Sequence, residues 1–367
     1  MNLSNAILKI ARTEKNRNIK LVRRKEVKIM AEVKIGILGA GRIGKLHATN
    51  LVNAVPGAKV VAIADLFMND EIIDWAKGLG IEKCTDNPDD IFKDSNIDAV
   101  FICSSTNTHA DFIIKAAEAG QHIFCEKPIH TDLNKIEEAI AAVEKAKVKL
   151  QVGFVRRFDH NHKKVRDTVA SGRLGAPHIV KVCSRDPEAP PMSYVKVSGG
   201  IFMDMMIHDF DMVRYLSGSE VTEVSTFGTC VIDPEFKKYD DVDTAIVMLK
   251  FENGAIGVID NSRRAGYGYD QRTEVHCEKG CVQVSNDLND TSMISTAEGV
   301  ICEKPTWFFL ERYNNAFIAE SVDFVNAVQN DTDVPVGGID GLMPVKIAMA
   351  AKKSLDEGRP VKISEIK

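Results

Sequence analysis

A short apolar run at residues 33–38 leads directly into the glycine-rich segment Gly39-Ala-Gly-Arg-Ile-Gly44. The spacing G-x-G-x-x-G, after a predicted strand and at the start of a predicted helix, is typical of a turn that binds a pyrophosphate. The first glycine permits the tight turn, the second leaves room for the phosphates, and the third lets the helix pack on the strand. The free N–H groups and the dipole at the start of that helix attract negative charge. The motif predicts dinucleotide binding, with contacts from Gly39, Gly41, Arg42, Ile43 and Gly44.

An acidic residue supports this prediction. A second apolar run, residues 59–64, ends at Asp65, which lies about 20 residues after the glycine motif, where a carboxylate binds the adenosine ribose diol.

Predicted strands and helices alternate up to residue 154, and this alternation is typical of a parallel sheet with helices on both faces. After Arg157 the predicted strands alternate apolar and polar residues and are joined by short polar turns, which favours an antiparallel sheet. We therefore predict an α/β fold. Residues 31–155 form a Rossmann dinucleotide-binding domain, and residues 156–367 form an α+β domain for substrate binding and oligomerisation. The second domain has a large, mainly antiparallel open sheet. Helices around 209–216, 314–329 and 342–357 cover one face, which leaves the other face for another subunit.

Residues 1–30 differ in charge from the rest of the chain. They carry nine Lys/Arg and two Glu, about +7, so the remainder of a chain of net charge −5 carries about −12. We interpret the segment as a basic N-terminal extension or an upstream start ahead of Met30. An organellar presequence is the alternative.

Composition excludes several classes of protein. A net charge of −5 provides no basic field for nucleic acid. No apolar run approaches the roughly 20 residues that span a bilayer. Eight cysteines without a C-x-x-C pair indicate a reducing compartment, so we expect a cytoplasmic protein without a metal site. Cys277 and Cys281 lack further ligands at suitable spacing.

Polar residues follow the later strands of the predicted parallel sheet, at the edge where such sheets bind ligands. Ser104, Ser105 and Thr106 follow one strand, a helix is predicted from His109, and Glu126 and Lys127 follow the next strand before a proline. We predict cofactor contacts from all six of these residues. A lysine in this position would point into the cleft, although a surface salt bridge is the ordinary alternative.

Asp204 and His208 are four residues apart among apolar neighbours, so on one helix they would share a face. An imidazole oriented by a carboxylate is a suitable general base for an alcohol proton. The alternatives are a helix N-cap at Asp204 with a core histidine at His208, and a metal site that also includes Asp211.

Other polar residues are suited to binding hydroxyl groups, because arginine donates in a fixed fork and aspartate accepts. Each of them can also be an ordinary surface or turn residue. The candidates are Arg156, Asp159, Arg185, Asp186, Tyr267 and Tyr269. Of these we predict substrate contacts from Arg156, Asp186 and Tyr267, together with Lys127, Asp204 and His208.

From about residue 33 to 363 the chain resembles the glucose–fructose oxidoreductase / inositol dehydrogenase / rhizopine catabolism (Gfo/Idh/MocA) family. The resemblance rests on the glycine motif, on residues 119–128 ending in Glu-Lys-Pro, and on residues 199–208. Within the family it is most similar to the inositol 2-dehydrogenases, through residues 152–159, 185–187 and 267–270, the Asp204 and His208 pair, and residues 278–280.

The resemblance implies an NAD-dependent oxidation of a cyclitol ring hydroxyl, with myo-inositol giving 2-keto-myo-inositol. It implies that Lys127 binds the reacting hydroxyl and that His208, with Asp204 beside it, accepts the proton. Asp65 implies NAD rather than NADP, since a carboxylate repels a 2′-phosphate and Leu66 and Phe67 offer no basic group. Relatives are commonly tetramers or dimers, so we expect a homo-oligomer.

The chain departs from the family in one loop. Ser104-Ser105-Thr106 stands where relatives often have Thr-Pro-Asn, so we expect this loop to contact the cofactor through its backbone and hydroxyl groups. Two other functions remain open: a dehydrogenase of another polyol or sugar, such as scyllo-inositol or glucose, and a non-catalytic NAD-binding regulator.

Overall fold

The computed structural model describes residues 32–367, and residues Val33–Lys367 form one compact unit. The predicted basic extension 1–30 lies outside the described residues.

The first half of this unit is built on a six-stranded sheet, and all of its pairs are parallel. The strands are β1 (Val33–Leu38), β2 (Ala58–Ala64), β3 (Lys83–Thr85), β4 (Ala99–Ile102), β5 (His122–Glu126) and β6 (Leu150–Gly153). Their order is β3-β2-β1-β4-β5-β6, which confirms the predicted Rossmann sheet. The strand order reverses between β1 and β4. The segments that follow these two strands therefore enclose the crevice in which such sheets bind ligands.

Five helices belong to this half: α1 (Arg42–Ala54), α2 (Asp70–Gly78), α3 (Asp89–Phe92), α4 (Thr106–Glu118) and α5 (Leu133–Ala146). Helix α4 begins three residues before the predicted start at His109. The amide of Thr108 donates to the carbonyl of Ser105 at 2.9 Å, so the polar residues expected in a loop form the first helical turn.

The second half is built on a seven-stranded sheet in the order β12-β11-β7-β10-β9-β8-β15. Only the β7–β10 pair is parallel, so the mainly antiparallel prediction is confirmed. A separate ribbon of β13 and β14, which we did not predict, follows β12. The strands are β7 (Pro177–Arg185), β8 (Val221–Thr229), β9 (Thr244–Phe251), β10 (Ile256–Ser262), β11 (Asp270–Cys277), β12 (Gly280–Val284), β13 (Met293–Thr296), β14 (Gly299–Cys302) and β15 (Val361–Lys362).

The helices of the second half are α6 (His160–Ala170), α7 (Met192–Ser198), α8 (Gly200–Asp204), α9 (Ile207–Ser217), α10 (Phe309–Asn330) and α11 (Gly338–Glu357). Helix α9 and the middle of α11 cover the inner face of the seven-stranded sheet, as predicted.

The prediction that α10 covers the seven-stranded sheet is wrong. Its buried Phe324 and Val325 belong to the same core as Ile35 and Phe101 of the six-stranded sheet. The start of α11 likewise packs in the first half through Leu342 and Val345. Helix α10 and the start of α11 therefore complete the core of the N-terminal half, although both follow the second half in sequence.

The outer face of the seven-stranded sheet carries an exposed apolar patch beside ion pairs such as Lys181 with Glu274 and Lys250 with Glu223. Phe227, Ile246, Met248 and Ile256 are between 45% and 66% exposed on β8, β9 and β10. Among the described residues, no helix combines the length and apolar character needed to cross a membrane.

Candidate active site

The glycine turn has the geometry that a pyrophosphate site requires. Gly39 has φ +100°, and a Cβ atom there would lie 2.7 Å from the carbonyl oxygen of Cys103. A Cβ atom at Gly44 would lie 1.9 Å from the carbonyl oxygen of Gly39, whereas one at Gly41 would meet nothing within 4 Å. No side chain caps the N-terminus of α1, so its first amides are available to a ligand. We call Gly39 and Gly44 closed positions, because main-chain atoms leave no room for a Cβ atom, and Gly41 an open position. The open position leaves space for phosphates beside the turn, so these residues fit the pyrophosphate of NAD.

Asp65 lies at the end of β2 and is tied to this turn. Its carboxylate accepts hydrogen bonds from the amide of Ala40 at 2.6 Å and from the amide of Phe67 at 2.8 Å. A carboxylate has about four acceptor positions, so two remain for a ribose diol. The neighbouring Leu66 and Phe67 are 66% and 81% exposed and supply no cation for a 2′-phosphate.

The segments that follow β4 and β5 are joined by one buried histidine. His109 lies with Nδ1 at 2.8 Å from the carbonyl oxygen of Pro128 and Nε2 at 3.0 Å from that of Ser104. Burial lowers the pKa of His109. His109 therefore connects the segments after β4 and β5 from the protein interior, whereas Ser105 is exposed and Thr106 is half-buried.

Glu126 contacts helix α1, which follows the glycine turn. Its Oε1 lies 2.9 Å from Nε2 of the fully buried His47 on α1. Glu320 of α10 lies 3.9 Å from the same His47 nitrogen and has neither carboxyl oxygen hydrogen-bonded. Burial, reinforced by Glu126, raises the pKa of Glu320 well above its usual range, which favours the protonated form.

Lys127 reaches from the six-stranded sheet into the second half of the molecule. Its half-buried ammonium donates to the backbone carbonyl of Asp204 at 3.1 Å. The peptide bond between Lys127 and Pro128 is cis. The described contact of Lys127 is therefore with the backbone of the second half and not with a surface carboxylate.

The prediction that Asp204 and His208 lie on one helix face is wrong. Asp204 is the last residue of α8 and His208 is in the first turn of α9, with the break at Met205 and Met206. The Asp204 carboxylate instead accepts from the hydroxyl of Tyr194 at 2.8 Å and from Nη1 of Arg263 at 3.0 Å. The apolar residues around the break give no sequence signal for it.

His208 is held edge-on against Phe154, with 6.1 Å between ring centroids. Its Nδ1 is buried without a hydrogen-bond partner. Burial and the nearby cations Lys127 and Arg156 lower the pKa of His208 well below its usual value. The imidazole is therefore neutral at neutral pH, which is the form that accepts a proton.

Arg156 lies beneath this site in a buried polar network. Its guanidinium pairs with Asp209 and donates to the hydroxyl of Ser184 at 3.1 Å and of Tyr269 at 3.4 Å. Only 4% of Arg156 is exposed, and its described partners are all groups of the protein, so the structure places it in the interior and its contact with substrate stays a prediction. Asp159, a further candidate, is a structural residue that caps α6 and pairs with Arg312 at 2.6 Å.

The two tyrosines of the 267–270 segment have different surroundings. Tyr267 is 44% exposed and donates to Asp270 at 2.6 Å, with Arg185 at 3.3 Å from its hydroxyl. The described contacts therefore place Tyr267 with residues of the outer sheet face. Tyr269 is buried and its hydroxyl accepts from Arg156, so the structure associates Tyr269, and not the predicted Tyr267, with Arg156.

Arg263 and Tyr194 were missed by sequence reasoning. Arg263 follows the last residue of β10, is 2% exposed, and lies 3.7 Å from the carboxylate of the predicted Asp186 as well as against Asp204. Burial raises the pKa of Asp186 to about 6, and the guanidinium of Arg263 opposes this shift. The only sequence signal was a pair of arginines at a predicted strand end.

Comparisons with known proteins agree with this geometry. Residues 33–154 match the profile described as "Oxidoreductase family, NAD-binding Rossmann fold", and residues 162–283 match the GFO/IDH/MocA C-terminal domain. The chain is 49% identical to an uncharacterized oxidoreductase, YrbE, of Bacillus subtilis, over 90% of this chain and 97% of that protein. It is 45% identical to the myo-inositol 2-dehydrogenase of Thermotoga maritima, over 91% and 99% of the two chains.

A similar solved structure is scyllo-inositol dehydrogenase from Lactobacillus casei with bound NAD(H) and scyllo-inositol. It has a TM-score of 0.85 and 32% identity, covering 91% of this chain and 99% of that one. The chain therefore belongs to the GFO/IDH/MocA family of oxidoreductases, and its cofactor is NAD.

Proposed function

We propose that this enzyme oxidises a ring hydroxyl of a cyclitol to a ketone, with myo-inositol as substrate and 2-keto-myo-inositol as product. The observation that carries the proposal is the approach of Lys127, Asp204 and His208. Lys127 directly follows β5 of the NAD-binding sheet, its ammonium donates to the backbone carbonyl of Asp204 at 3.1 Å, and its charge acts on His208. The Thermotoga relative that carries the name myo-inositol 2-dehydrogenase supports this choice of substrate.

The residues divide the chemistry between them. The nicotinamide, when bound, accepts the hydride from the carbon that bears the hydroxyl. Neutral His208 accepts the hydroxyl proton, and the Lys127 ammonium donates a hydrogen bond to the same oxygen, which stabilises its developing negative charge. The carbonyl of Asp204 fixes Lys127 at 3.1 Å, so the lysine is oriented before substrate binds. Asp186 and the Arg156–Tyr269 pair bind the remaining hydroxyls.

The experiment is a screen for NADH formation at 340 nm with purified protein, NAD, the inositol isomers and common hexoses. We expect the highest kcat/KM with myo-inositol. A preference for scyllo-inositol is the alternative favoured by the Lactobacillus casei relative, and a preference for a hexose would overturn the cyclitol proposal. Tight NAD binding without turnover of any polyol would instead identify a non-catalytic regulator.

We also propose that the outer sheet face pairs with a second copy of the chain, giving a dimer or tetramer in the cytoplasm. Four large apolar side chains that are 45% to 66% exposed on one flat face are typical of a protein contact. Light scattering after size exclusion tests this. Ile246→Glu should yield monomers, whereas Ile339→Glu, at a 57% exposed position on α11, should not. A wild-type monomer would contradict the proposal.

A further inference from the structure

Arg263 occupies an unusual position for a buried cation. Its amide donates to the carbonyl of Asp243 at 2.8 Å, which fixes the backbone just after β10. Its Nη1 donates to Asp204 at 3.0 Å and lies 3.7 Å from Asp186. Its Nε and Nη2 are buried without a hydrogen-bond partner. Unpaired buried donors are costly, so stability alone does not explain an arginine here.

Acidic groups outnumber cations around this guanidinium. Asp186, Asp204 and Asp241 all act on Arg263, and Asp241 also accepts from the amide of Ile201 at 2.8 Å. Tyr194 supplies the second donor to Asp204 from the short helix α7. Such a site accepts hydrogen bonds from hydroxyl groups and repels phosphate or carboxylate, so it suits a neutral polyol.

We propose that Arg263 is a positioning residue that holds the carboxylates of Asp186 and Asp204 side by side as acceptors for neighbouring hydroxyls of the substrate ring. The inference rests on the proposed cyclitol oxidation. It adds an arginine whose described side-chain contacts are with the carboxylates of Asp204 and Asp186. Because Lys127 is bound to the backbone of Asp204, the same arginine also links the hydroxyl-binding carboxylates to the lysine of the reaction.

The electrostatic surroundings of Asp186 make the role measurable. Asp186 faces the cations Arg263 and Arg156 and the carboxylates Asp204 and Asp209. Its pKa of about 6 reflects burial opposed mainly by Arg263. Removal of that cation raises the pKa of Asp186 further, so the acceptor form is lost at a higher pH and the acid limb of kcat/KM moves upward.

The test compares R263Q, R263K and wild type by steady-state kinetics from pH 5 to 9, with NAD affinity and thermal melting measured in parallel. For R263Q we expect the cyclitol KM to rise about tenfold or more, with a smaller fall in kcat, and the acid limb to move up by about one pH unit. R263K keeps the charge, so it should return the acid limb towards that of wild type while KM stays raised. NAD affinity should not change.

R264Q is the matched control, because Arg264 is the adjacent arginine and is exposed. An unchanged KM and acid limb in a folded R263Q would overturn the proposal, as would an equal change in R264Q. If R263Q does not melt cooperatively, R263K and Y194F provide the test. A cyclitol KM equal to that of wild type in both variants would overturn the positioning role of Arg263. Failure of the proposed function looks different, because wild type itself would then form no NADH with any cyclitol.

Discussion

The cofactor side and the substrate side of the cleft are built by different means. The cofactor side is a backbone structure, in which the Gly39 and Gly44 positions are closed by main-chain atoms and Gly41 is left open. The substrate side is made of charged side chains brought together from distant segments, such as Arg263 with Asp204 and Lys127 with the Asp204 carbonyl. We therefore expect the cofactor side to be sensitive to substitutions that add atoms to the turn, and the substrate side to be sensitive to substitutions that change the charge of a side chain.

The largest effect should come from the cofactor turn. In Gly44→Ala the new methyl would lie 1.9 Å from the carbonyl oxygen of Gly39, and neither backbone segment can move aside. We expect a loss of about 3 kcal/mol in the free energy of unfolding and loss of NAD binding, measured by urea denaturation and by titration. Gly41→Ala should change stability by less than about 0.5 kcal/mol but still weaken NAD binding, because its methyl occupies the phosphate space. Equal destabilisation by both changes would refute the distinction between closed and open positions.

The next effect concerns the proposed base. His208→Ala should lower kcat by about 10², equivalent to about 2.7 kcal/mol, while NAD binding persists, because the imidazole is required only for proton transfer. His178→Ala, an exposed histidine on β7, is the control and should leave kcat unchanged. Normal turnover in His208→Ala would remove His208 from the mechanism.

A smaller effect should follow at the ribose. Asp65→Ser removes the carboxylate that bonds the Ala40 amide and repels a 2′-phosphate. We expect the ratio of kcat/KM for NAD over that for NADP to fall about tenfold. Asp70→Ser, an exposed acid at the start of α2, should leave the ratio unchanged. If Asp65→Ser keeps the wild-type ratio, another group selects the cofactor.

The smallest effect, taken per pH unit, concerns the buried carboxyl group of Glu320 on α10. The pKa of Glu320 is raised in the folded state, so above its unfolded value the folded state binds more protons and stability decreases as pH rises. Glu320→Gln should remove this dependence, which has an upper limit of about 1.4 kcal/mol per pH unit, in urea denaturation between pH 5 and 9. Glu311→Gln, exposed on the same helix, should keep the wild-type slope. A slope that is the same in wild type and Glu320→Gln would show that Glu320 is ionised.

The contrast between the two sides explains what the sequence could predict. The glycine turn, Asp65 and the strand alternation are local patterns, and the structure has the predicted turn and both sheets. Lys127 was selected as a candidate because it directly follows a strand end. The prediction that Asp204 and His208 share one helix face was wrong, because the helix breaks between them at apolar residues that carry no stop signal. Tyr267 and Tyr269 are two residues apart, so local pattern could not separate them. Arg263 binds a carboxylate 59 positions away, and no local pattern encodes such a pair.

The packing of α10 has a consequence for synthesis of the chain. A domain at the N-terminus usually folds while the rest is still being translated. Here Phe324 and Val325 fill the core beside β1 and β4, so a nascent chain that has reached only β6 has an unfilled apolar surface. About 170 further residues, nearly half of the sequence, must leave the ribosome before that surface is covered. The cofactor half should therefore fail to express as an isolated fragment, and the intact chain should depend on chaperones during translation.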